Sequence, residues 1–327
     1  MLLSFERASR ELRPVDPAAG SALAEDVVWV DVHEPDAAEA AFVERWLGAE
    51  LPTREEMREI EASARVYEEH AVLFMTSTLL VDADTPQPRR SEVTFILKDE
   101  KLVTLRYADP QPFKNAPQRL ERQGRWLTSG QAAFFWLVDG IIARLADILE
   151  RATADTEALS RDIFRAAARE RGVARPDLTE AMGRIGRNGD TASTIRECLH
   201  TLQRVLFAVG TSEVLPAARR KEVRSRAKIL QRDVASLTDH AGFLTQKVNL
   251  LLDATLGLIN IEQNAIIKIF SVAAVVFLPP TLIASIYGMN FAHMPELGLR
   301  FGYPLALALM VVSAILPYVY FKRRGWL

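Results

Sequence analysis

Two long stretches without a charged residue lie near the C-terminus and constrain the fold more than any other feature. Residues 269–287 (IFSVAAVVFLPPTLIASIY) give 19 uncharged positions, and residues 301–321 (FGYPLALALMVVSAILPYVYF) give 21. A helix of about 20 apolar residues crosses the hydrocarbon core of a membrane, which is about 30 Å thick. Two buried helices of a soluble protein are the alternative, but soluble helices seldom stay free of charge this long twice in succession. The sequence therefore predicts two transmembrane helices.

The charged residues are concentrated before these two stretches. Residues 1–268 hold 36 basic and 41 acidic residues, a formal net charge of −5, whereas the last 59 residues hold five charges. Such a mildly acidic region does not favour nucleic acid as a partner, because phosphate binding requires a basic surface. The first residues lack the apolar core of a signal peptide, and the single cysteine, Cys198, excludes an intrachain disulfide. We therefore expect the region before residue 269 to stay in the cytoplasm.

The residues that flank the two stretches predict the orientation in the membrane. Lys322, Arg323 and Arg324 follow the second stretch directly, while the connecting loop carries one acidic and one basic residue. The bias of basic residues towards the cytoplasmic side places the C-terminus in the cytoplasm. Aromatic residues flank both ends, as in membrane interfaces: Tyr287, Phe291, Phe301, Tyr303, Tyr318, Tyr320 and Trp326. We predict a multi-pass protein of the cell inner (plasma) membrane with both termini cytoplasmic and the loop outside.

The region up to about residue 110 alternates strand and helix patterns. The sequence predicts a helix over 34–47 and strands over 27–32, 73–81, 92–97 and 101–107, the last two joined as a hairpin at Asp99–Glu100. Residues 82–90 are rich in turn-forming residues. These patterns predict an α/β or α+β domain. The chain contains neither a GxGxxG nor a GxxxxGK[ST] pattern, so we expect no nucleotide partner.

From Gln131 onward the pattern is helical. A first helix is predicted over 132–167, a second over 177–211 after a break at Gly172–Pro176, and a third after Pro216. As one helix, residues 217–287 would extend about 107 Å at 1.5 Å per residue. A helix of this length needs packing partners, which favours a bundled stalk that continues into the membrane. A separate cytosolic bundle with a flexible connection, hinged at Gly242 or Gly257, is the alternative.

Small and polar side chains of the first stretch follow one line along the helix. Steps of three and four residues connect Asn264, Ile267, Ser271, Ala274, Leu278, Thr281, Ser285 and Gly288. Such a stripe suits helix packing in membranes as well as the lining of a pore. Two helices of one chain cannot enclose a path, so a pore requires a ring of several chains. The interior of neither stretch contains Asp, Glu, Lys, Arg or His, which disfavours a proton-coupled carrier and favours a passive path lined by neutral oxygens.

The end of this helix carries a resemblance to a known family. Tyr287–Asn290 (YGMN), followed by 294–297 (MPEL), resembles the CorA family of divalent-cation transporters, whose marks are two C-terminal spans and a Gly-Met-Asn signature after the first. Similar segments occur along most of the chain, at 28–35 (VWVDVHEP), 58–69 (REIEASARVYEE), 259–270 (INIEQNAIIKIF), 277–290 (FLPPTLIASIYGMN), 301–304 (FGYP) and 320–327 (YFKRRGWL). The likeness is greatest to the proteobacterial magnesium and cobalt transporters.

The resemblance implies a fold, an assembly and an activity. The fold would be an α+β cytosolic domain, long stalk helices and two C-terminal transmembrane helices, in a funnel-shaped homopentamer. We expect domains at 1–125, 126–268 and 269–327. The activity would be influx of hydrated Mg2+, and also Co2+ and Ni2+, driven passively by the membrane potential through a central pore gated by intracellular Mg2+. Mg2+ would be substrate and regulatory ligand, with no organic cofactor and no enzymatic activity.

The resemblance also assigns roles to residues. Gly288, Met289 and Asn290 would form the selectivity filter, with Glu296 in the outer loop. The residues implied to line the pore are Asn264, Ile267, Phe270, Ser271, Ala274, Leu278, Thr281 and Ser285, of which Ile267, Phe270 and Leu278 would form constrictions. Regulatory Mg2+ would bind between subunits at Asp82 or Asp84 and Asp233 or Asp239.

One position departs from the family pattern, and two other functions stay open. Many relatives carry an acidic residue where this chain has Ala292, followed by His293, so Glu296 is the only acidic residue of the loop. A zinc transporter of the same superfamily is one alternative, although Met289 argues against that branch. A membrane-anchored cytosolic sensor or scaffold is another. The oxygen-bearing stripe and the signature disfavour it.

Overall fold

The computed structural model describes residues 1–17, 23–85, 88–167, 177–290 and 294–324. The strands in these ranges are β1 (Leu2–Glu6), β2 (Leu12–Val15), β3 (Val27–His33), β4 (Val66–Glu69), β5 (Val72–Val81), β6 (Arg89–Lys98) and β7 (Lys101–Arg106). The helices are α1 (Ala37–Leu47), α2 (Arg54–Arg58), α3 (Ala62–Arg65), α4 (Gln111–Lys114), α5 (Ala116–Gln123), α6 (Gly130–Ala167), α7 (Leu178–Thr211), α8 (Ala217–Tyr287) and α9 (Gly302–Arg323). The chain divides into two compact units, Met1–Arg165 with Thr179–Leu251, and Ala166–Leu178 with Leu252–Leu327.

The first unit is built on a seven-stranded sheet with the order β2-β1-β3-β7-β6-β5-β4. All neighbouring strands are antiparallel except β3 and β7, which are parallel and pair Trp29 with Leu102 and His33 with Arg106. The hairpin predicted at Asp99–Glu100 is confirmed, with Lys98 opposite Lys101. Asp99 adopts a positive φ of 50°, which the tight turn requires and which Asp tolerates better than most residues.

Both faces of the sheet are covered, and strand β5 shows this most clearly. All ten of its residues are buried, polar ones included. On one face Val43 and Leu47 of α1 and Met57 of α2 pack into a cluster with the apolar residues of β3, β5, β6 and β7. On the other face Phe134 of α6 meets Phe95 edge to face, with ring centroids 5.4 Å apart. This two-sided burial explains why β5 and β7 form apolar runs without strict alternation.

Helix α7 is attached to the sheet through a hydroxyl group. Thr201 Oγ1 accepts a hydrogen bond from the Thr78 amide at 3.1 Å and lies 3.0 Å from Ser77 Oγ. The same hydroxyl donates to the carbonyl of Cys198, at 2.9 Å. These bonds satisfy polar groups that β5 buries, because an unpaired buried polar group costs about 1–3 kcal/mol. Cys198 itself is buried, which raises the pKa of its thiol to about 12.

Several element boundaries differ from the sequence prediction. Helix α1 begins at Ala37 rather than residue 34, because Asp36 caps it by accepting from the Glu39 amide while Glu39 accepts from the Asp36 amide. Arg89 and Arg90, expected in a turn, belong to β6. Strands β1, β2 and β4 and helices α2 to α5 were not predicted. The break expected at Gly172–Pro176 lies outside the described residues.

The long third helix is confirmed as one continuous element, α8, despite Pro279 and Pro280 within it. Gly242 and Gly257, the proposed hinge points, lie inside this helix without interrupting it. Within the described residues, α8 and α9 are the two helices long and apolar enough to cross a membrane. Helix α8 contains the whole first uncharged stretch, 269–287, and α9 contains the second stretch from Gly302 onward.

Candidate functional site

The turn that carries the Gly-Met-Asn signature begins where α8 ends. The Gly288 amide still donates to the Ala284 carbonyl at 2.9 Å, and the Met289 amide donates to the Ile286 carbonyl at 3.3 Å, so the last turn tightens before the chain leaves the helix. A Cβ atom on residue 288 would lie 3.1 Å from the Ala284 carbonyl oxygen. Glycine therefore keeps the backbone of this turn close to the helix end.

Asn290 follows this turn and is exposed, and Met289 is 48 % exposed. Ala292 and His293, the departure from the family pattern, lie outside the described residues. The chain resumes at Met294 with a short 3-10 helix, Pro295–Gly298, whose backbone includes Glu296. The structure thus places the Gly-Met-Asn signature at the end of α8.

The stripe along α8 is exposed over its full length in the single chain. Every member from Asn264 to Gly288 is exposed, and the large apolar ones are strongly so: Ile267 is 60 % and Leu278 is 64 % exposed. Val272, on another side of the helix, is buried. An apolar face of this length is not stable against water. It requires lipid or neighbouring chains to cover it.

The stripe drifts slowly around the helix. Its steps of three and four residues repeat every 3.5 residues, against 3.6 for the helix, so the line turns by about 20° per seven residues. Phe270, which the resemblance placed in the pore, lies about 100° around the helix from the stripe member Ser271, at a rotation of 100° per residue. It is 72 % exposed and stands at the edge of the stripe rather than on it.

Thr281 shows how a hydroxyl of the stripe can act as a hydrogen-bond acceptor towards its surroundings. Its hydroxyl donates to the carbonyls of Phe277 at 3.0 Å and Leu278 at 2.9 Å. With its hydrogen used by the backbone, the oxygen presents only acceptor lone pairs outward. A hydrated cation presents the hydrogens of its water shell, so outward acceptors suit it. Asn290 offers a side-chain carbonyl oxygen of the same kind at the helix end.

The predicted regulatory acids of the β5–β6 connection are paired with arginines. Asp82 Oδ2 accepts from Arg89 at 2.5 Å and 3.0 Å. Asp84 accepts from Arg144 at 2.5 Å and from Arg151 at 2.6 Å. The hydrogen bond from Arg151, together with Arg144, holds the pKa of Asp84 below its ordinary value. A cation at either carboxylate would have to displace these partners.

Sequence reasoning missed the arginine partners of Asp84, although a signal existed. Arg144 and Arg151 stand seven residues apart on α6, so both lie on one face two turns from each other. That spacing allows one carboxylate to bridge them. Without the fold, however, nothing in the sequence places the connection after β5 beside this face of α6.

Asp233 and Asp239 lie exposed on α8. Six residues separate them, which puts them about 120° apart around the helix. Burial raises the pKa of the Asp139 carboxyl. The positive charges of Arg226 and Arg119 lower this pKa, and the negative charge of the nearby Asp233 raises it. In the described part of one chain, no three His, Cys, Asp or Glu residues come together as a metal site. The predicted regulatory site stays a prediction that needs a second subunit.

The comparisons with known proteins extend over the whole chain. Residues 24–323 match the family of CorA-like Mg2+ transporter proteins. Over 327 residues the chain is 37 % identical to the magnesium transport protein CorA of Pasteurella multocida and 38 % identical to that of Salmonella typhimurium, covering 100 % of both partners in each comparison. The CorA magnesium transporter structure from Methanocaldococcus jannaschii matches with a TM-score of 0.74 at 20 % identity, covering 100 % of this chain and 99 % of that one. The predicted α+β domain, long helices and two C-terminal apolar helices are confirmed.

Proposed function

The chain belongs to the CorA-like Mg2+ transporter family, a family of ion transporters rather than enzymes, and from this premise we propose that it carries Mg2+ across the cell inner membrane. One observation links this proposed activity to particular residues. The exposed stripe of α8 runs without interruption into the Gly288–Met289–Asn290 turn. A face that combines oxygen acceptors with small residues and needs cover from other chains is what a shared pore lining requires.

Assembly follows from the number of spans. One chain supplies two helices, which cannot enclose a path, so several copies must form a ring with α8 innermost. We propose five copies, with both termini in the cytoplasm and the Gly-Met-Asn turn at the outer side. Lys322, Arg323 and Arg324 support this orientation, because basic residues favour the cytoplasmic side. Residues 1–125, 126–268 and 269–327 would then be the cytosolic, stalk and pore domains.

The ion enters with its water shell. Mg2+ dehydrates reluctantly and prefers oxygen ligands, so a ring of Asn290 carbonyl oxygens can accept hydrogen bonds from the shell without removing it. Neutral amides hold the ion less tightly than carboxylates, and conduction requires that the ion also leaves. Gly288 and Met289 would shape this ring. Glu296 would attract cations from outside through its charge.

Passage beyond the filter would use the acceptors at Ser285, Thr281, Ser271 and Asn264. Between them Ile267, Leu278 and the flanking Phe270 would narrow the path, and apolar rings close a pore by expelling water. The membrane potential supplies the driving force. A divalent ion gains about 4.6 kcal/mol per 100 mV, twice the value for one charge, which exceeds a thousandfold concentration ratio. Co2+ and Ni2+ would pass through the same pore, because the hydration and coordination geometry of an ion would determine whether it is transported.

Intracellular Mg2+ would regulate this path. We propose that Mg2+ binds between subunits, at Asp82 or Asp84 of one chain and Asp233 or Asp239 of its neighbour, and favours the closed pore. Because Asp233 and Asp239 point about 120° apart, only one of them would face a given neighbour.

Flux and mass measurements on the purified protein test the proposal. The detergent-solubilised protein should have a protein mass of about five times the 36.5 kDa of the chain. In liposomes holding a Mg2+-sensitive dye, an inside-negative potential should drive Mg2+ inward, and dissipating the potential should slow it. A monomer in detergent and in native membranes, or liposomes no more permeable than empty ones, would contradict the proposal.

A further inference from the structure

We propose that a cavity beside α7 in the first compact unit binds a small anion that carries two or more phosphate groups. The cavity has a volume of about 530 Å³. Its walls include Arg65, Arg196, Glu197, His200 and Arg204. The inference concerns binding only and does not depend on the proposed transport.

One wall is a line of basic side chains. Arg196, His200 and Arg204 follow each other at intervals of four residues on α7, so they share one helix face and span about 12 Å. All three are exposed, and within the described chain none of them makes a hydrogen bond or an ion pair. Arg196 and Arg204 bring two positive charges to this face, and like charges on one helix face repel each other. An anion with charges spread over a similar length would relieve this repulsion.

Another part of the wall holds a buried cation without a counterion among the described residues. Arg65 is 9 % exposed, and its guanidinium donates to the Glu59 carbonyl at 2.6 Å and to the Thr78 hydroxyl at 2.9 Å. Both acceptors are neutral, and no carboxylate of the described residues forms an ion pair with it. A buried charge without an opposite charge is unfavourable. Nη2 of Arg65 makes no hydrogen bond within the described chain, so it can donate to a ligand.

Glu197 also lines the cavity, but its carboxylate does not balance the positive charge of the arginines there. Glu197 accepts from Arg90 Nη1 at 2.5 Å, so its charge is already balanced by an arginine outside the cavity wall. The wall therefore keeps an excess of positive charge from Arg65, Arg196 and Arg204. Guanidinium groups bind phosphate through paired, charge-assisted hydrogen bonds, which favours a phosphorylated ligand.

A second, smaller cavity shares Arg204 with the first, and its lining favours a ligand that carries a nucleoside on its phosphate chain. It measures about 370 Å³ and is lined by Val66, Gln203, Arg204, Phe207 and Ala208. Phe207 is 63 % exposed and offers an aromatic face. The buried Oε1 of Gln203 has no donor among the described residues. Rotation of its terminal torsion would let it accept from an amino group of a base.

This arrangement explains why no phosphate site is visible in the sequence alone. Phosphate loops are recognised by the patterns GxGxxG and GxxxxGK[ST], and this chain contains neither. Here the donors are side chains on one helix face and one arginine from α3, brought together by the fold. The expectation of no nucleotide partner rested on motifs alone, and such a site carries no motif.

Calorimetric titration of the purified full chain tests the proposal. ATP and inorganic tripolyphosphate are titrated in EDTA, so that Mg2+ does not contribute. We expect both to bind, ATP more tightly, and Arg196→Gln or Arg204→Gln to weaken both by about tenfold or more. Arg122→Gln is the control, since Arg122 is exposed on α5 and lines neither cavity. Phe207→Ala should weaken ATP but not tripolyphosphate.

Each other outcome decides against part or all of the proposal. Failure of both anions to bind the parent protein, or unchanged binding in Arg196→Gln and Arg204→Gln, would overturn it. Equal affinities for ATP and tripolyphosphate, both unaffected by Phe207→Ala, would overturn the nucleoside assignment. Because the assay measures binding without Mg2+, its failure would leave the transport proposal standing.

Discussion

Asp31 and Arg106 form a buried ion pair that joins the two parallel strands at the centre of the sheet. Asp31 Oδ2 lies 2.9 Å from Arg106 Nη2, and each side chain is 4 % exposed. The same carboxylate accepts from the Thr104 hydroxyl at 2.6 Å, and Arg106 also donates to Asp109 at 2.7 Å. The pair therefore sits in a hydrogen-bonded network that satisfies both charges inside the first unit.

Asp31→Ala should destabilise the protein strongly. The substitution leaves the Arg106 guanidinium buried without its main counterion, which costs about 3–5 kcal/mol of unfolding free energy. Glu11→Ala is the matched control, because the Glu11–Arg13 pair has a similar distance of 2.9 Å but both side chains are more than half exposed. It should cost far less, because water and salt screen an exposed ion pair. Urea unfolding followed by tryptophan fluorescence measures both, and equal losses would contradict the assigned role of burial.

Thr281→Val should reduce Mg2+ flux, whereas Thr281→Ser should retain it. Valine keeps the shape of threonine but removes the oxygen that the stripe presents, while serine keeps the oxygen and its bonds to the Phe277 and Leu278 carbonyls. Flux in dye-loaded liposomes at a fixed potential measures the difference. If both variants conduct like the parent protein, Thr281 does not line the path.

Removing the regulatory acids should weaken inhibition by internal Mg2+. We expect Asp233→Asn, or Asp239→Asn, combined with Asp82→Asn and Asp84→Asn, to keep influx high when internal Mg2+ is raised. The control is Arg144→Gln with Arg151→Gln, which breaks the same ion pairs of Asp84 but keeps the carboxylate. It should retain inhibition. Unchanged inhibition in the acid variants would place the regulatory site elsewhere.

The sequence predicted those elements whose pattern is strong and local. The strands around Trp29, Phe74, Phe95 and Val103 carry long β-branched and aromatic runs, and α6 to α8 carry long helical periods. Strands β2 and β4 have four residues each and face solvent in part, and Pro14 in β2 is tolerated because that strand lies at the sheet edge. Their strand character comes from pairing with a neighbour rather than from their own pattern.

The candidate sites also differ in whether the sequence alone could predict them. The stripe of α8 and the turn at Gly288 follow from spacing along one helix, so the sequence could place them. The pairing of Asp84 with Arg144 and Arg151, and the meeting of Arg65 with the face of α7, depend on how distant segments pack. Spacing along the chain carries no information about such contacts.

Mg2+ flux through Asn290→Ala in liposomes tests the central claim most directly. Asn290 is exposed at the end of α8, so truncation opens no cavity and should leave folding and assembly unchanged. Ser313→Ala is the control, because it removes a hydroxyl from α9 that donates to the Met310 carbonyl and lies outside the stripe. We predict that Asn290→Ala loses most of its Mg2+ flux while Ser313→Ala conducts like the parent protein. Parental flux through a correctly assembled Asn290→Ala protein would contradict the assignment of this turn as the filter.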